Sequence, residues 1–566
     1  MRKLVIFLFY TTIIEFLHLL TVIYWVSRKK IAIYGTNDDA LISSISSGKL
    51  TGFPDPHLIF IQPLISYPII WLESLLTNFS GYTIFLLFGT TISFTLVLVN
   101  RIINKNYNLI FYLSWLFTNI IFHSWFAINP TYTGASLFTS GAAAALTIIL
   151  LKNKFNGNYP LVFSIAFLFT LSYMIRIEGV YIYFLIIIPF IFLYIKNLIL
   201  IKRKIGIIII LVSIPLISNM GLSIKLYEND AWKEYTEMNN LRHKIQLREP
   251  ERQMDQFLSE INWDEPTQYM FKRLVLVDPN FMNSTSMEKI LAQTNDYVGI
   301  KSVLKAEPNV SIKNAIESLK PWTWILQTLI FIIFLNLYIR ISNLSSLTKY
   351  VVEVSILTSS IFVLLYTLAS GFHLPERITL NLLAAYSLVL VCLSPDKFYV
   401  NKKIFINLIV LLVSGVMVFR QFERFVIELN AREDFYKTRQ AFALQQKQSF
   451  NQLDSEVVIS SASSLKFDWI YPYNKYESFD DRNLTLILGW HNLSPAWNTA
   501  ASNLGLDPKN IYSSLVDNEA VWVDSENNIE PVLKFLEINQ NANLQFNVLG
   551  DVGNQEYRFY KFKSID

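Results

Sequence analysis

The chain has 566 residues, of which 52% are hydrophobic and only 16% are charged, and its formal net charge is +4. Soluble domains carry about 25% charged residues, so this composition excludes an ordinary soluble protein and indicates a membrane protein. The basic residues cluster beside apolar runs, so the net charge indicates membrane topology rather than a nucleic-acid partner. The single cysteine, Cys392, excludes an internal disulfide and a thiolate metal site.

The first apolar segment, 4–26, follows Arg2 and Lys3. No small-residue cleavage motif follows this segment, so we interpret it as a retained transmembrane helix. One span needs roughly 20 apolar residues, and the remaining apolar runs then predict an α-helical polytopic membrane protein with about eleven spans. The predicted spans are 4–26, 82–100, 109–127, 135–151, 161–177, 179–198, 205–225, 322–341, 350–371, 378–395 and 404–420.

Lysine and arginine are enriched in the cytoplasmic ends of short membrane loops. Six basic clusters fall on one side of the predicted spans, which places the N-terminus in the cytoplasm and the C-terminal region outside. The clusters are Arg2-Lys3, Arg101 with Lys105, Lys152 with Lys154, Lys196 with Lys202-Arg203-Lys204, Arg340 with Lys349, and Lys397 with Lys402-Lys403. The apolar segment 57–76 would invert this topology if it crossed the membrane. We therefore interpret it as a juxtamembrane or re-entrant segment.

These predictions divide the chain into four parts. Residues 1–225 form a membrane module with a first outer loop at 27–81, and residues 226–320 form an extracytoplasmic helical loop. Residues 321–423 contain the C-terminal transmembrane helices. Residues 424–566 alternate short strand-like runs with helical segments, which predicts a small extracytoplasmic α/β domain.

Asp38 and Asp39 lie in the sequence GTNDD, directly after the first predicted helix. Acidic residues are costly close to a bilayer and are usually kept there for chemistry or ion handling. The alternative is structural, because acids after a Gly-Thr-Asn turn are typical of a helix cap and first turn. Both interpretations are compatible with the sequence.

Further polar residues fall at the outer ends of the predicted helices. Sugar transfer needs a carboxylate to activate the acceptor and cations to stabilise a leaving phosphate. These side chains therefore form a candidate site, although an interfacial anchor or an ion pair explains several of them equally well. The residues are Asp55 and His57 in PDPHLIF, Arg176 and Glu178 in MIRIEG, and His373 and Arg377 in HLPERI. Arg28, Lys29 and Lys30 either extend to the interface or bind a phosphate.

The sequence GTNDD followed by PDPHLIFI resembles the first-loop signature of the GT-C superfamily of membrane glycosyltransferases. This group includes protein O-mannosyltransferases and aminoarabinose transferases. In the mannosyltransferases an Asp-Glu pair precedes a His-Pro-Pro helix, and Asp38-Asp39 matches the acidic pair. FAINPTYTG at 126–134 is similar to the second outer loop of these enzymes but lacks its acidic residue. WKEYTEMNNLRHKI at 232–245 resembles a segment of an uncharacterised bacterial branch.

The resemblance implies a GT-C-like fold in a bacterial plasma membrane and an inverting transfer on the outer face. The implied donor is a polyprenyl-phosphate-linked sugar, and the acceptor is a glycan, a lipid or a protein. Asp38 or Asp39 is the implied base. The implied phosphate-binding residues are Arg176, Arg377, Arg28, Lys29 and Lys30, and the substrate-binding candidates are Asp55, His57, Glu178, His373 and Arg242. Metal dependence varies across the superfamily, so a divalent cation stays open, and the sequence shows no ligand set for one.

Three other functions fit parts of the sequence. A polysaccharide polymerase or ligase of the O-antigen type also has many spans and a large outer loop, but it needs no acidic pair in the first loop. A transporter of lipid-linked sugars often shows repeated halves, and we find no such repeat. A receptor-like sensor would account for the outer domain and leave the acidic loop unexplained.

Overall fold

The structure is a computed structural model that describes most of the chain. The described residues are 2–29, 32–103, 109–153, 159–248, 258–259, 261–293, 308–340, 344–371, 376–394, isolated positions from 420 to 441, 444–453, 457–461, 472–474, 485–517, 519–541, 543–552 and 557–565. Lys30, His373 and nearly all of the span expected at 404–420 lie outside this set.

Helices dominate the described residues, as the composition predicts. The helices of the N-terminal half are α1 Arg2–Lys29, α2 Asn37–Ser46, α3 Pro63–Leu75, α4 Gly81–Ile103, α5 Leu109–Thr118, a π-helical turn Asn119–His123, α6 Ser124–Ile128, α7 Tyr132–Asn153, α8 Tyr159–Ile175, α9 Glu178–Leu193, α10 Ile195–Leu200 and α11 Lys202–Leu226. They are followed by α12 Asp230–Arg248, α13 Glu265–Lys272, α14 Ser284–Gln293, α15 Pro308–Leu319, α16 Thr323–Arg340, α17 Leu344–Gly371 and α18 Glu376–Cys392.

Each of the first ten predicted spans coincides with a described helix or with a run of consecutive helical segments. Among the described residues, five helices are long and apolar enough to cross a membrane, and several others are apolar but shorter. The five are Val5–Val26, Gly81–Ile103, Tyr132–Lys152, Lys202–Leu226 and Leu344–Thr367. The predicted class, a polytopic helical membrane protein, is confirmed.

Helix α7 lies at the centre of the membrane module and is almost entirely buried. Its middle carries Gly141 and four alanines, Ala142 to Ala145, all of the alanines fully buried. A Cβ at Gly141 would lie 2.6 Å from the Cβ of Ala385 in α18. The two backbones can therefore approach closely because both helices carry small residues at this crossing, as is common between membrane helices.

Helix α3 occupies most of the ambiguous segment 57–76. It has 13 residues, so it is about 20 Å long and falls short of the roughly 30 Å of a hydrocarbon core. Its acidic residue, Glu73, is buried and accepts hydrogen bonds from the backbone N–H of Tyr82 at 3.0 Å and the hydroxyl of Ser46 at 3.3 Å. A short helix tied to its neighbours in this way fits the juxtamembrane interpretation.

The C-terminal domain contains a five-stranded sheet with the order β2-β1-β3-β5-β4. The strands are β1 Val457–Ser461, β2 Thr485–Leu488, β3 Ala520–Asp524, β4 Leu544–Val552 and β5 Tyr557–Ser564. Strands β1, β2 and β3 are parallel, and β4 and β5 are antiparallel additions. Helices α19 Pro495–Asn503, α20 Ser513–Val516 and α21 Glu526–Gln540 connect them. The predicted small α/β domain is therefore present.

The two faces of this sheet belong to different cores. Successive strand residues point to opposite faces, and in β3 the buried Trp522 packs with the outer helices while Val521 and Val523 join the core that extends into the membrane module. The sheet is thus buried on both sides, and every residue of β1 and β3 is buried.

The described residues between Tyr227 and Leu291 pack against the C-terminal domain around one shared core. Tyr235 in α12 and Phe271 in α13 belong to the same buried cluster as Trp522. Arg273 forms two hydrogen bonds with the buried Asp524 at the end of β3, at 2.7 and 3.0 Å. The carboxyl edge of a parallel sheet is where ligands usually bind in open α/β folds. Here Arg273 and its neighbours cover part of that edge.

Candidate functional site

The segment Gly35 to Asp39 forms a helix N-terminus. Thr36 is the N-cap of α2, and its side chain accepts a hydrogen bond from the backbone N–H of Asp39 at 3.2 Å. Its hydroxyl in turn donates to the carboxylate of Asp39 at 2.6 Å. The capping interpretation of the acidic pair therefore holds for Asp39, which stabilises the start of α2.

Asp39 is fully buried. Besides Thr36, its carboxylate accepts hydrogen bonds from the hydroxyl of Tyr82 at 2.6 Å and the backbone N–H of Tyr132 at 2.9 Å. Burial raises the pKa of Asp39 to about 7, although these three donors act in the opposite direction. A carboxylate that three protein donors enclose has little room for a substrate.

The first outer loop is fixed against the second. The backbone N–H groups of Ile33 and Gly35 donate to the carbonyl oxygens of Ile128 at 2.9 Å and Pro130 at 3.3 Å. A Cβ at Gly35 would lie 2.2 Å from the methyl carbon of Thr131. The glycine of GTNDD is therefore required by the close approach of these two loops.

Arg176 occupies the break between α8 and α9. Its guanidinium contacts both carboxylate oxygens of Glu178, with its Nε at 3.0 Å from one and an Nη at 3.2 Å from the other. It also donates to the hydroxyl of Thr133, and it lies over the ring of Tyr132, 5.0 Å from the centroid. Arg176 and Glu178 could not face each other within one helix. They pair because the helix is interrupted before Glu178.

Asp38 belongs to the same cluster as Arg176. Burial alone would lower the pKa of Arg176, but this pKa is raised because Tyr132, Glu178 and Asp38 stabilise the charged form. Asp38 is partly exposed, unlike its neighbour Asp39. A partly exposed carboxylate therefore interacts electrostatically with the guanidinium in the break between α8 and α9.

Asp55 and His57 contact each other directly. Nδ1 of His57 contacts Asp55, and Nε2 lies 3.0 Å from the carbonyl oxygen of Leu226. The imidazole also stacks on the indole of Trp232, with the centroids 4.0 Å apart. These contacts tie the first outer loop to the start of α12. The substrate-binding role predicted for Asp55 and His57 stays a prediction, and the contacts support a structural role.

Arg242 connects α12 with the C-terminal domain. It is buried and donates hydrogen bonds to the side chain of Asn239 and the carbonyl oxygen of Trp490. Burial lowers its pKa, against the opposing effect of Tyr235. Its predicted substrate-binding role is untested, and protein partners hold its guanidinium.

The other basic candidates among the described residues lie at the end of α1 and at the start of α18. Arg28 is exposed near the end of α1 and lies over the ring of Tyr24, 5.6 Å from its centroid. Lys29 is the last residue of α1, and Arg377 lies in the first turn of α18. Within the described residues, no group of three or more His, Cys, Asp or Glu side chains could hold a metal ion.

Three residues near Arg176 were not predicted from sequence. Tyr132 and Thr133 belong to the loop FAINPTYTG, and the sequence places residues 128–135 of this region on the side of the candidate site without naming these two residues. Burial lowers the pKa of His243 in α12, and the charges of Glu178 and Arg176 also act on this pKa. The hydroxyl groups of the loop FAINPTYTG are the sequence signal that could have indicated Tyr132 and Thr133, and this signal is weak.

No protein-family model matches this chain, and no curated protein matches it. A solved structure with detectable similarity is that of ArnT from Cupriavidus metallidurans bound to undecaprenyl phosphate. The sequence identity is 10%, the alignment covers 98% of this chain and 97% of that chain, and the TM-score is 0.34. At that TM-score the similarity does not assign the fold or the reaction, which have to be inferred from the residues of this chain.

Proposed function

We propose that the chain is a membrane glycosyltransferase of the GT-C type. It would transfer a sugar from a polyprenyl-phosphate-linked donor to a glycan, lipid or protein acceptor on the outer face of the membrane. The observation that supports this proposal best is the electrostatic interaction of Asp38 with Arg176, which belong to segments far apart in the chain. A lipid phosphate carries its charge at the interface, where the ends of the apolar helices hold this pair.

In the proposed reaction, Asp38 accepts a proton from the hydroxyl or amide of the acceptor. The deprotonated atom attacks the anomeric carbon of the sugar, and the bond from that carbon to the phosphate oxygen breaks. The phosphate oxygen leaves with the electron pair. Arg176 stabilises the resulting negative charge by charge-assisted hydrogen bonds. Attack from the face opposite the phosphate inverts the configuration at the anomeric carbon.

The neighbours of Arg176 prepare it for this role. Glu178 and Thr133 fix the direction of the guanidinium, and the ring of Tyr132 supports it from one side. A group that is held before the reaction needs little reorganisation when charge develops on the phosphate. The side chain of Glu178 is 51% exposed, so a donor phosphate can compete with it for Arg176.

The test of this proposal does not require the sugar to be known. A strain that lacks this chain is complemented with the wild-type chain, Asp38→Asn or Asp39→Asn, and its lipid-linked sugars are extracted and quantified. We expect one polyprenyl-phosphate sugar to accumulate in the deletion strain and in the strain complemented with Asp38→Asn. Its amount should return to normal in the strains complemented with wild type or Asp39→Asn. If no lipid-linked sugar changes in amount in any strain, the chain is not a transferase of this kind.

A further inference from the structure

A short piece of the C-terminal domain, residues 472–474, contacts the membrane module behind the first outer loop. The carbonyl oxygen of Pro472 accepts hydrogen bonds from the hydroxyl of Thr83 at 2.6 Å and the hydroxyl of Tyr34 at 3.3 Å. Tyr473 is fully buried, and its hydroxyl donates to the carbonyl oxygen of Ala127 at 2.8 Å. The backbone N–H of Ser80 donates to the carbonyl oxygen of Tyr473 at 3.1 Å.

In three of these contacts, the residue of the membrane module is a direct chain neighbour of a residue that holds the loop carrying Asp38. Tyr34 directly precedes Gly35, whose N–H is paired with the second outer loop. Thr83 directly follows Tyr82, which donates to Asp39.

The third contact repeats this relationship in the second outer loop. Ala127, which accepts from Tyr473, directly precedes Ile128, and the carbonyl oxygen of Ile128 is paired with Ile33. Residues 472 and 473 therefore contact the first outer loop, the second outer loop and α4 at the same place. All three are elements that hold Asp38 and Asp39.

Attachment of the C-terminal domain does not depend on these contacts alone. The side-chain amide of Asn503 donates to the carbonyl oxygen of Thr51 at 3.0 Å. The ring of Trp490 packs against Phe60, with the centroids 4.6 Å apart. These other contacts already attach the domain to the membrane module. Attachment alone therefore does not explain why Tyr473 is buried behind the first outer loop.

We propose that Pro472 and Tyr473 position the first outer loop for the transfer reaction. This inference rests on the proposed function. It makes the C-terminal domain a part of the catalytic arrangement through the position of the loop. A domain that served acceptor binding alone would leave the reaction of the donor unaffected when these contacts are removed.

The test uses the full-length protein in lipid nanodiscs. Tyr473→Phe removes the hydrogen bond to Ala127 and keeps the ring, and Thr83→Val removes the bond to Pro472 and keeps the shape. Asn503→Ala is the matched control, because it removes a hydrogen bond of similar length between the same two domains. Amide hydrogen exchange of residues 32–39 is measured for each protein, together with hydrolysis of short-chain polyprenyl-phosphate glucose, mannose or galactose without acceptor.

Loss of one buried hydrogen bond usually changes an equilibrium by about 3-fold to 10-fold. We expect exchange at residues 32–39 to accelerate by about that factor in Tyr473→Phe and Thr83→Val, and to be unchanged in Asn503→Ala. Donor hydrolysis should show a similarly lowered kcat with a KM within about 2-fold of wild type. Unchanged exchange in both variants would overturn the inference. If wild type hydrolyses a donor and both variants do so with the same kcat, the inference is overturned as well. Absence of hydrolysis by wild type with all three donors would count against the proposed function alone, because the exchange measurement does not depend on it.

Discussion

Asp38 and Asp39 are adjacent in the chain and lie in different environments. Asp39 is fully buried and accepts hydrogen bonds from Thr36, Tyr82 and the backbone of Tyr132. Asp38 is partly exposed, and its charge acts on Arg176. The acidic pair is thus divided between a buried residue that builds the loop and a partly exposed residue that we propose for the site.

Asp39 should make stability depend on pH. Its pKa rises from 3.8 to about 7 in the folded protein, so the folded state retains a proton that the unfolded chain has lost. The stabilising contribution is complete below about pH 4 and is lost as the pH rises through about 7. Asp39→Asn removes this dependence. The free energy of unfolding of Asp39→Asn minus that of wild type should therefore rise by up to about 4 kcal/mol between pH 4 and pH 8. Thermal unfolding in nanodiscs at both pH values measures this, and a constant difference would contradict it.

Arg176 should control the affinity for a lipid phosphate. We expect Arg176→Ala to weaken the binding of a short-chain polyprenyl phosphate by about 10-fold to 100-fold, the usual range for a lost charge-assisted hydrogen bond. Arg176→Lys should be intermediate, because an ammonium cannot make the paired contacts of a guanidinium. Arg377→Ala should act in the same direction if Arg377 binds the phosphate as the sequence predicts.

Lys534→Ala is the control for these variants. Lys534 pairs with Glu530 on the surface of the C-terminal domain at 3.0 Å, far along the chain from the loops of the site. Isothermal titration calorimetry should give wild-type affinity for this variant. Wild-type affinity in Arg176→Ala as well would show that the phosphate binds elsewhere.

Arg273 should be important for the stability of the outer region. Asp524 is fully buried and also accepts hydrogen bonds from the side chain of Asn528 at 2.9 Å and the backbone N–H of Ser525 at 2.8 Å. Arg273→Ala leaves this carboxylate without its cation, and breaking a buried pair in this way costs about 3–5 kcal/mol. Limited proteolysis should therefore cleave both 226–320 and 424–566 faster than in wild type. Faster cleavage of one segment alone would contradict the shared core.

The distribution of basic residues predicts the topology. Single cysteines at Asn104, Asn153 and Lys403 should be labelled from the cytoplasm, and cysteines at Asp278 and Ser525 from outside. The background is the Cys392→Ser variant, and Cys392 is itself buried. Labelling of position 278 from the cytoplasm would show that 57–76 crosses the membrane.

The sequence predicts the helices well because the bilayer imposes their length and composition. The α/β character of the C-terminal domain also follows from strand-like runs that alternate with helical segments. The roles of Asp38 and Asp39 could not be separated, because two of the three partners of Asp39 are 43 and 93 residues away in the chain. The pairing of Arg176 with Glu178 is consistent with a helix break, which Gly179 indicates. Nothing in the local sequence of Pro472 and Tyr473 indicates that they dock behind the first loop.

Wild-type, Asp38→Asn and Asp39→Asn proteins, assayed in parallel, test the central claim most directly. The measurement is transfer by purified protein from the lipid-linked sugar that accumulates in the deletion strain, with circular dichroism to confirm folding. We predict that Asp38→Asn lowers the rate by about 10²-fold to 10⁴-fold, as the loss of a general base does. Asp39→Asn, which can still accept from Tyr82 and Tyr132, should stay within about 10-fold of wild type. Full activity in Asp38→Asn would contradict the assignment of Asp38 as the base.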